Sequence, residues 1–268
     1  DGYARGETPN PCLLCNRQIR WTFLLDHALA LGAEYMATGH YVRRQLSDDG
    51  RVELLRAVDH FKDQSYVLHV LTQDKLRHAL FPVGDYPKPE IRAIAESFGL
   101  STALRKDSQD LCFLAGEDYR NFLQRNAAEM LAPGEIVTIS GKSVGQHNGL
   151  ANYTIGQRKG LGIASPVPLF VITKQATSNT LVVGTLEELG FTELTARDVN
   201  WTSGDVPREL FRAEVKIRYT AKEVEALVSP LEGDQASVKF DAPVRDVTAG
   251  QAAVFYQGDL MLGGGIIQ

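Results

Sequence analysis

The chain has 268 residues, 44% of them hydrophobic and 23% charged, with a formal net charge of −5. Those values describe an ordinary globular protein, long enough for one large domain or a few small ones. They exclude recognition of nucleic acid by overall charge, so any RNA contact needs local basic patches. The longest apolar runs, at 66–71 and 169–173, fall far short of a membrane span, and no membrane partner is expected. No charged-then-apolar leader opens the sequence, and its three cysteines are too few and odd in number for a secreted disulfide framework. A cytoplasmic protein with working thiols is the expectation.

The first part reads as α/β. A helix is predicted over 19–31, with Ile19, Phe23, Leu24, Ala28 and Leu31 on one face and Gly32 as its stop. Residues 35–38 predict a short buried strand. It delivers Gly39 and His40 to a strand's carboxyl end, where open α/β sheets put their ligands. Runs at 41–46 and 52–56 flank Ser47-Asp-Asp-Gly50, a hairpin turn. Helices are predicted at 64–71, 73–80, 89–98 and 118–126; the third has Pro89 in its first turn and Gly99 past its end. From Pro133 on, Gly, Pro and Asn punctuate short β-rich runs at 135–139, 169–173, 180–183, 211–217, 236–240 and 252–256. That pattern suits small barrels or sandwiches. Boundaries near Leu114 and, more softly, near Glu193 divide the chain into 1–114, 115–193 and 194–268.

Two phrases hold all the cysteines: Thr8-Pro-Asn-Pro-Cys-Leu-Leu-Cys-Asn16, with Cys12 and Cys15, and Lys106-Asp-Ser-Gln-Asp-Leu-Cys-Phe113, with Cys112. Thiolate is nucleophile, leaving group and soft ligand at once, so sulfur transfer, redox pairing and metal binding are all open. Structural zinc wants four ligands, and no His stands at ligand spacing near Cys112. A thioredoxin-like pair opens a helix after a strand, whereas this pair follows Pro9-Asn10-Pro11, whose prolines predict an extended loop that presents groups to a ligand. Inert packing of the three thiols is the remaining alternative, most of all for Cys112 between Leu111 and Phe113.

The cysteine phrases belong to a longer series. In order follow Ala37-Thr-Gly-His-Tyr41, Lys62-Asp-Gln-Ser-Tyr66, Phe81-Pro-x-Gly-Asp85, Asp107-Ser-Gln-Asp-x-Cys-Phe113 and Tyr153-Thr-Ile-Gly-Gln-Arg-Lys-Gly-Leu-Gly162. Lys216-x-Arg-Tyr219, Pro243-Val-Arg and Gly250-Gln-Ala-Ala-Val-Phe-Tyr256 complete it. Taken together, these phrases resemble the tRNA-specific 2-thiouridylase family over nearly the whole chain. One departure is large: the family opens with a strand–loop–helix carrying a Ser-Gly-Gly-x-Asp-Ser phosphate loop, and no such phrase occurs here. Such loops hold phosphates on consecutive backbone N–H groups, so these residues alone are not expected to bind or cleave ATP competently.

The resemblance implies an α/β remnant of an adenine-nucleotide alpha-hydrolase-like (PP-loop) domain, then a small β-rich central domain and a C-terminal β-barrel. It implies ATP-dependent transfer of sulfur from a cysteine persulfide to C2 of the wobble uridine of tRNA, through an adenylated base. Cys112 matches the persulfide carrier and Cys15 the nucleophile, and the two would form a disulfide during turnover, which needs a Cα separation below ~7 Å. Asn10, Pro11 and Cys12 match the loop that meets the extruded base. Gly39 matches a contact to ATP. His40, Lys62, Asp63, Gln64, Arg218, Tyr219 and Gln251 match contacts to tRNA. ATP with Mg²⁺ is the implied cofactor, and a cysteine desulfurase or sulfur-relay protein the implied donor. Cys12, Cys15 and Cys112 could alternatively ligate a [4Fe–4S] cluster. A third reading makes these residues a tRNA-binding module without turnover. Gln157-Arg158-Lys159-Gly160 is expected to be a mobile loop near the centre or a tight turn. Arg105 and Lys106 would add positive charge beside Cys112.

Overall fold

The computed structural model describes residues 2, 5–104, 112–114, 116–126 and 128–268. A helical rod opens it: α1, Pro11–Leu14, continues through a π-helical stretch, Cys15–Leu24, into α2, Leu25–Ala30. The rod buries Leu13, Asn16, Trp21 and Leu25. The step from Asn16 to Trp21 is one π turn, whose i→i+5 bonding shifts the phase of the buried face. The apolar stripe read from the sequence therefore points outward: Ile19, Phe23 and Leu31 are exposed.

Strand β1, Met36–Ala37, pairs in parallel with β4, Ala79–Leu80. Residues 73–80 are thus not one helix: α3 covers Gln73–Arg77, and the chain then extends into β4. The helix expected at 64–71 shortens to a 3-10 segment, Ser65–Leu68, and α4 spans Lys88–Ser97. Between β1 and the 3-10 segment lies the expected hairpin, β2 (Val42–Leu46) with β3 (Val52–Arg56). Helix α5 covers Tyr119–Asn126.

The middle part is a four-stranded sheet in the order β6-β5-β8-β7. It comprises β5 (Gly134–Thr138), β6 (Ser143–His147), β7 (Phe170–Gln175) and β8 (Thr180–Gly184). Its own core gathers Ile136, Leu150, Val171, Leu181 and Val183.

The last part closes on itself. Strands β9 (Phe191–Trp201), β10 (Phe211–Lys216), β11 (Val224–Leu231), β12 (Gln235–Val244), β13 (Ala252–Gln257) and β14 (Leu260–Ile267) pair in the order β13-β10-β11-β12-β9-β14, and the β13–β14 pairing closes the barrel. The softer boundary expected near Glu193 falls inside β9. Strand β13 explains how the barrel meets the α/β part. Side chains alternate across a strand, so Ala253 and Phe255 enter the barrel core. Ala252, Val254 and Tyr256 join Leu13, Trp21, Tyr66 and Leu68 on the other face. The β2–β3 hairpin extends the same sheet by pairing β3 with β14 at Leu55 and Leu260. Asn200 of β9 adds side-chain N–H bonds to the carbonyls of His69 (2.7 Å) and Leu71 (2.8 Å). Among the described residues no helix is long and apolar enough to cross a membrane.

Candidate active site

The cysteine pair opens a helix rather than lying in an extended loop. Asn10 is the N-cap: its side-chain oxygen accepts the Cys12 N–H at 3.1 Å, and Pro11 takes the first helical position. That use of proline is favourable, because an N-terminal N–H has no partner within a helix anyway. Cys12 and Cys15 are therefore in the first turns of the rod.

The segment entering this helix is gripped by the barrel. Thr8 N–H donates to the Ala249 carbonyl at 2.8 Å, and the Gln251 amide donates to the Thr8 carbonyl at 2.7 Å. Gly250 is required there: its φ is +88°, and a side chain on it would meet Glu7 Cβ at 3.0 Å and Pro9 N at 3.1 Å.

The three thiols are all free. Burial pushes the Cys12 thiol pKa up, Cys112 and Cys15 push it the same way, and Arg20 opposes them. Cys112 is exposed, at the start of a 3-10 turn, Cys112–Leu114, whereas Cys15 is half-buried. Among the described residues no group of three or more His, Cys, Asp or Glu side chains is arranged to hold a metal ion. The three cysteines do not fit a [4Fe–4S] ligand set in this arrangement.

Arg20 and Asn16 escaped the sequence reading. With Cys12 they stand four residues apart along one face, and helical side chains lean toward the N-terminus. Arg20 Nη1 donates to Asn16 Oδ1 and to His40 Nε2, each at 3.0 Å. Asn16 in turn donates to the Val67 carbonyl at 3.1 Å. Because a guanidinium only donates, His40 Nε2 accepts, and Nδ1–H donates to Thr38 Oγ1 at 2.8 Å. Burial first, and Arg20 second, pull the His40 pKa down to about 4, so the ring is neutral at physiological pH.

His40 is thus buried, with both ring nitrogens engaged by protein. Asp63 is buried too. It accepts from Ala57 N–H (2.9 Å) and from the Ser65 hydroxyl (2.7 Å), which meets the Tyr256 hydroxyl at 2.9 Å. The Gln64 side chain accepts the Tyr41 N–H at 3.1 Å, and Lys62 is half-buried. Arg218 donates to the Ile155 carbonyl at 3.0 Å and to the Thr248 hydroxyl, joining the middle part to the barrel. Its neighbour Tyr219 is 41% exposed. Burial, then Asp63, raise the pKa of its phenol; Lys62 opposes, and Cys12 adds to the rise. Gly39 faces open space. Residues 154–157 form a tight turn, Gln157 N–H to Thr154 O at 3.0 Å, braced by the Gln157 amide donating to the Lys159 carbonyl at 2.9 Å. Arg105 and Lys106 lie outside the described residues.

Three family models match along the chain: a tRNA methyl transferase HUP domain over residues 1–116, a tRNA methyl transferase PRC-barrel domain over 120–185, and an aminomethyltransferase β-barrel domain over 191–267. The tRNA-specific 2-thiouridylase MnmA 1 of Caldanaerobacter subterraneus subsp. tengcongensis is 46% identical over 269 residues, which cover 100% of this chain and 74% of that protein. The chain belongs to the MnmA family of tRNA-specific 2-thiouridylases. The MnmA of Moorella thermoacetica is 48% identical across 99% of this chain and 75% of its own length. That of Acetivibrio thermocellus is 45% identical across 100% and 75%. The α/β, middle-barrel and six-stranded-barrel series of the fold is that of the three MnmA domain models.

Proposed function

We propose that these residues carry the sulfur-transfer half of a tRNA 2-thiouridylase, delivering sulfur to C2 of a wobble uridine. The electrostatic influence of the distant Cys112 on Cys12, which shares one rod with Cys15, carries this reading together with the family match. Cys112, exposed, takes a persulfide from a cysteine desulfurase or relay protein. The Cys15 thiolate attacks the inner sulfur of that persulfide, the S–S bond breaks, and hydrosulfide leaves with the bonding pair. A Cys15–Cys112 disulfide results, and hydrosulfide adds to C2 of the activated base. A dithiol reductant then restores both thiols. Arg20 offsets the mutual repulsion of neighbouring anionic sulfurs, and neutral His40 and Asn16 hold it in place. Tyr219, half-exposed and electrostatically coupled to Cys12, would stack on or bond an extruded base, with Lys62 and Gln64 contacting the RNA. His40, Asp63, Arg218 and Gln251 serve RNA by fixing the surface around it.

ATP with Mg²⁺, when bound, would supply AMP as the leaving group at O2. Gly39 would be the contact to the nucleotide, but no Ser-Gly-Gly-x-Asp-Ser phosphate loop occurs among these residues. These 268 residues by themselves are therefore expected to bind tRNA without adenylating it. The test uses the protein with a phosphate-loop segment supplied. Cys112→Ser should lose both persulfide and thiolation, whereas Cys15→Ser should load persulfide and fail to transfer it. Full thiolation by either variant refutes the assignment.

A further inference from the structure

Lys174, in β7 of the middle part, is only 8% exposed. Its ammonium donates to the Glu7 carbonyl and to the Thr8 hydroxyl, each at 3.2 Å. The Glu7 carboxylate is engaged elsewhere, with Arg5 at 3.1 Å and Arg197 at 3.5 Å. On the same side, a side chain on Gly6, whose φ is +80°, would come within 3.1 Å of the Lys174 carbonyl. The segment at 6–9 thus runs between β7 and the 248–251 loop. Ala249 and Gln251 hold Thr8 from one flank and Lys174 from the other. Two residues further on, Asn10 caps the cysteine helix.

We propose that Lys174 is a positioning residue for the thiol site, through which the middle domain sets the segment that aims Cys12 and Cys15. The inference rests on the reading of those thiols as the working ones. Burial pulls the Lys174 pKa down from 10.5 to about 8. A lysine whose folded pKa lies below its unfolded value costs stability. The cost is complete below pH 8 and disappears as pH rises to 10.5. A buried apolar residue of similar volume would serve the fold at least as well. What the ammonium adds is two directed hydrogen bonds to the cysteine segment.

The test compares the full chain with Lys174→Met and Lys174→Arg, following iodoacetamide alkylation of each cysteine by mass spectrometry beside the melting temperature. Losing the hydrogen bonds that hold the segment should speed alkylation of half-buried Cys15 about fivefold in Lys174→Met. Cys112 should keep its rate, the melting temperature should not fall, and Lys174→Arg should behave like the unsubstituted chain. Unchanged Cys12 and Cys15 rates in Lys174→Met overturn the proposal. So does a lowered melting temperature with all three thiols accelerated together, which marks a merely structural lysine. If the Cys15 rate rises but Cys15→Ser still transfers sulfur in the loop-complete protein, positioning stands and the sulfur-transfer reading fails.

Discussion

The barrel and the α/β part spend similar apolar side chains in opposite ways. In the barrel, strands β9 to β14 pair around a closed circuit, and Val215, Val228, Val238 and Phe255 are completely buried. Among the described residues of the α/β part the sheet has two strands, α4 buries no residue, and Phe23 (65%), Phe98 (74%) and Leu104 (82%) stand largely exposed. Yet the cysteines are on the second region. Their placement is secured from outside it: Leu13 and Trp21 pack on Ala252, Val254 and Tyr256, and the β2–β3 hairpin is an extension of the barrel sheet. A closed β structure holds the inner face of the cysteine rod, while Ile19, Phe23 and Leu31 are exposed.

The largest effect that sharpens this contrast is in the barrel core. Phe255→Ala should cost about 3–5 kcal/mol of unfolding free energy, the usual cost of deleting a fully buried phenyl ring. Urea unfolding measures it. A cost near zero would mean that the barrel is not the rigid half.

Next in size is the junction. Arg56, at the end of β3, reaches Glu214 at 3.1 Å and Glu223 at 3.5 Å, and lies 4.2 Å over the Tyr256 ring. Arg56→Met should cost about 2–3 kcal/mol, as expected for charged hydrogen bonds whose partners remain half-buried. The same cluster predicts a pH dependence. Burial acts to raise the Glu223 pKa, but the Lys216 ammonium, a backbone N–H and Arg56 together take it below the ordinary 4.5. A depressed carboxylate contributes stability above pH 4.5, and that contribution is lost as pH falls through the lower folded value. The stability difference between the protein and Glu223→Gln should therefore shrink below pH 4.5 and hold steady above it. A constant difference down to strong acid would remove Glu223 from the junction.

How much of this could be read beforehand follows the same division. The β2–β3 hairpin was legible because Ser47-Asp-Asp-Gly50 separates two alternating runs, and β13 because five consecutive apolar residues demand burial on both faces. Strands β6, β9, β11 and β14 were not. Ser143–His147 is polar with a central glycine, and Leu260–Ile267 carries three successive glycines. Neighbouring strands, not local preference, make these segments extended. A working link between Cys112 and Cys15 is implied only by the family phrases, since nothing local connects them in the sequence. Pro9-Asn10-Pro11 misled because proline punctuates loops and also starts helices; only the Asn10 cap decides between them. Lys174 carried no local signal, because its burial comes from a segment far away in the chain.

A smaller effect probes the cap. Asn10→Ala removes the acceptor for Cys12 N–H and should cost ~1 kcal/mol, while Asn10→Asp should keep most of it. Hydrogen exchange at Cys12 and Leu13 should quicken in the alanine variant alone. No change would mean that the clamp on Thr8 holds the helix start without its cap.

The smallest expected effect lies on the outer face. Phe23 is stacked on His27, with ring centroids 6.4 Å apart and planes within 7°, but most of its surface meets solvent. Phenylalanine and serine have nearly equal helix propensity, so Phe23→Ser removes apolar surface without disturbing the backbone. Its unfolding free energy should stay within about 0.5 kcal/mol of the unsubstituted chain. Solubility should respond instead, because Ile19, Phe23 and Leu31 present apolar surface on one rod and such patches promote association. Sedimentation at rising concentration should show less self-association for Phe23→Ser at unchanged thermal stability. A loss of several kcal/mol, approaching that of Phe255→Ala, would show that the outer stripe is part of a core, and the contrast between the two regions would collapse.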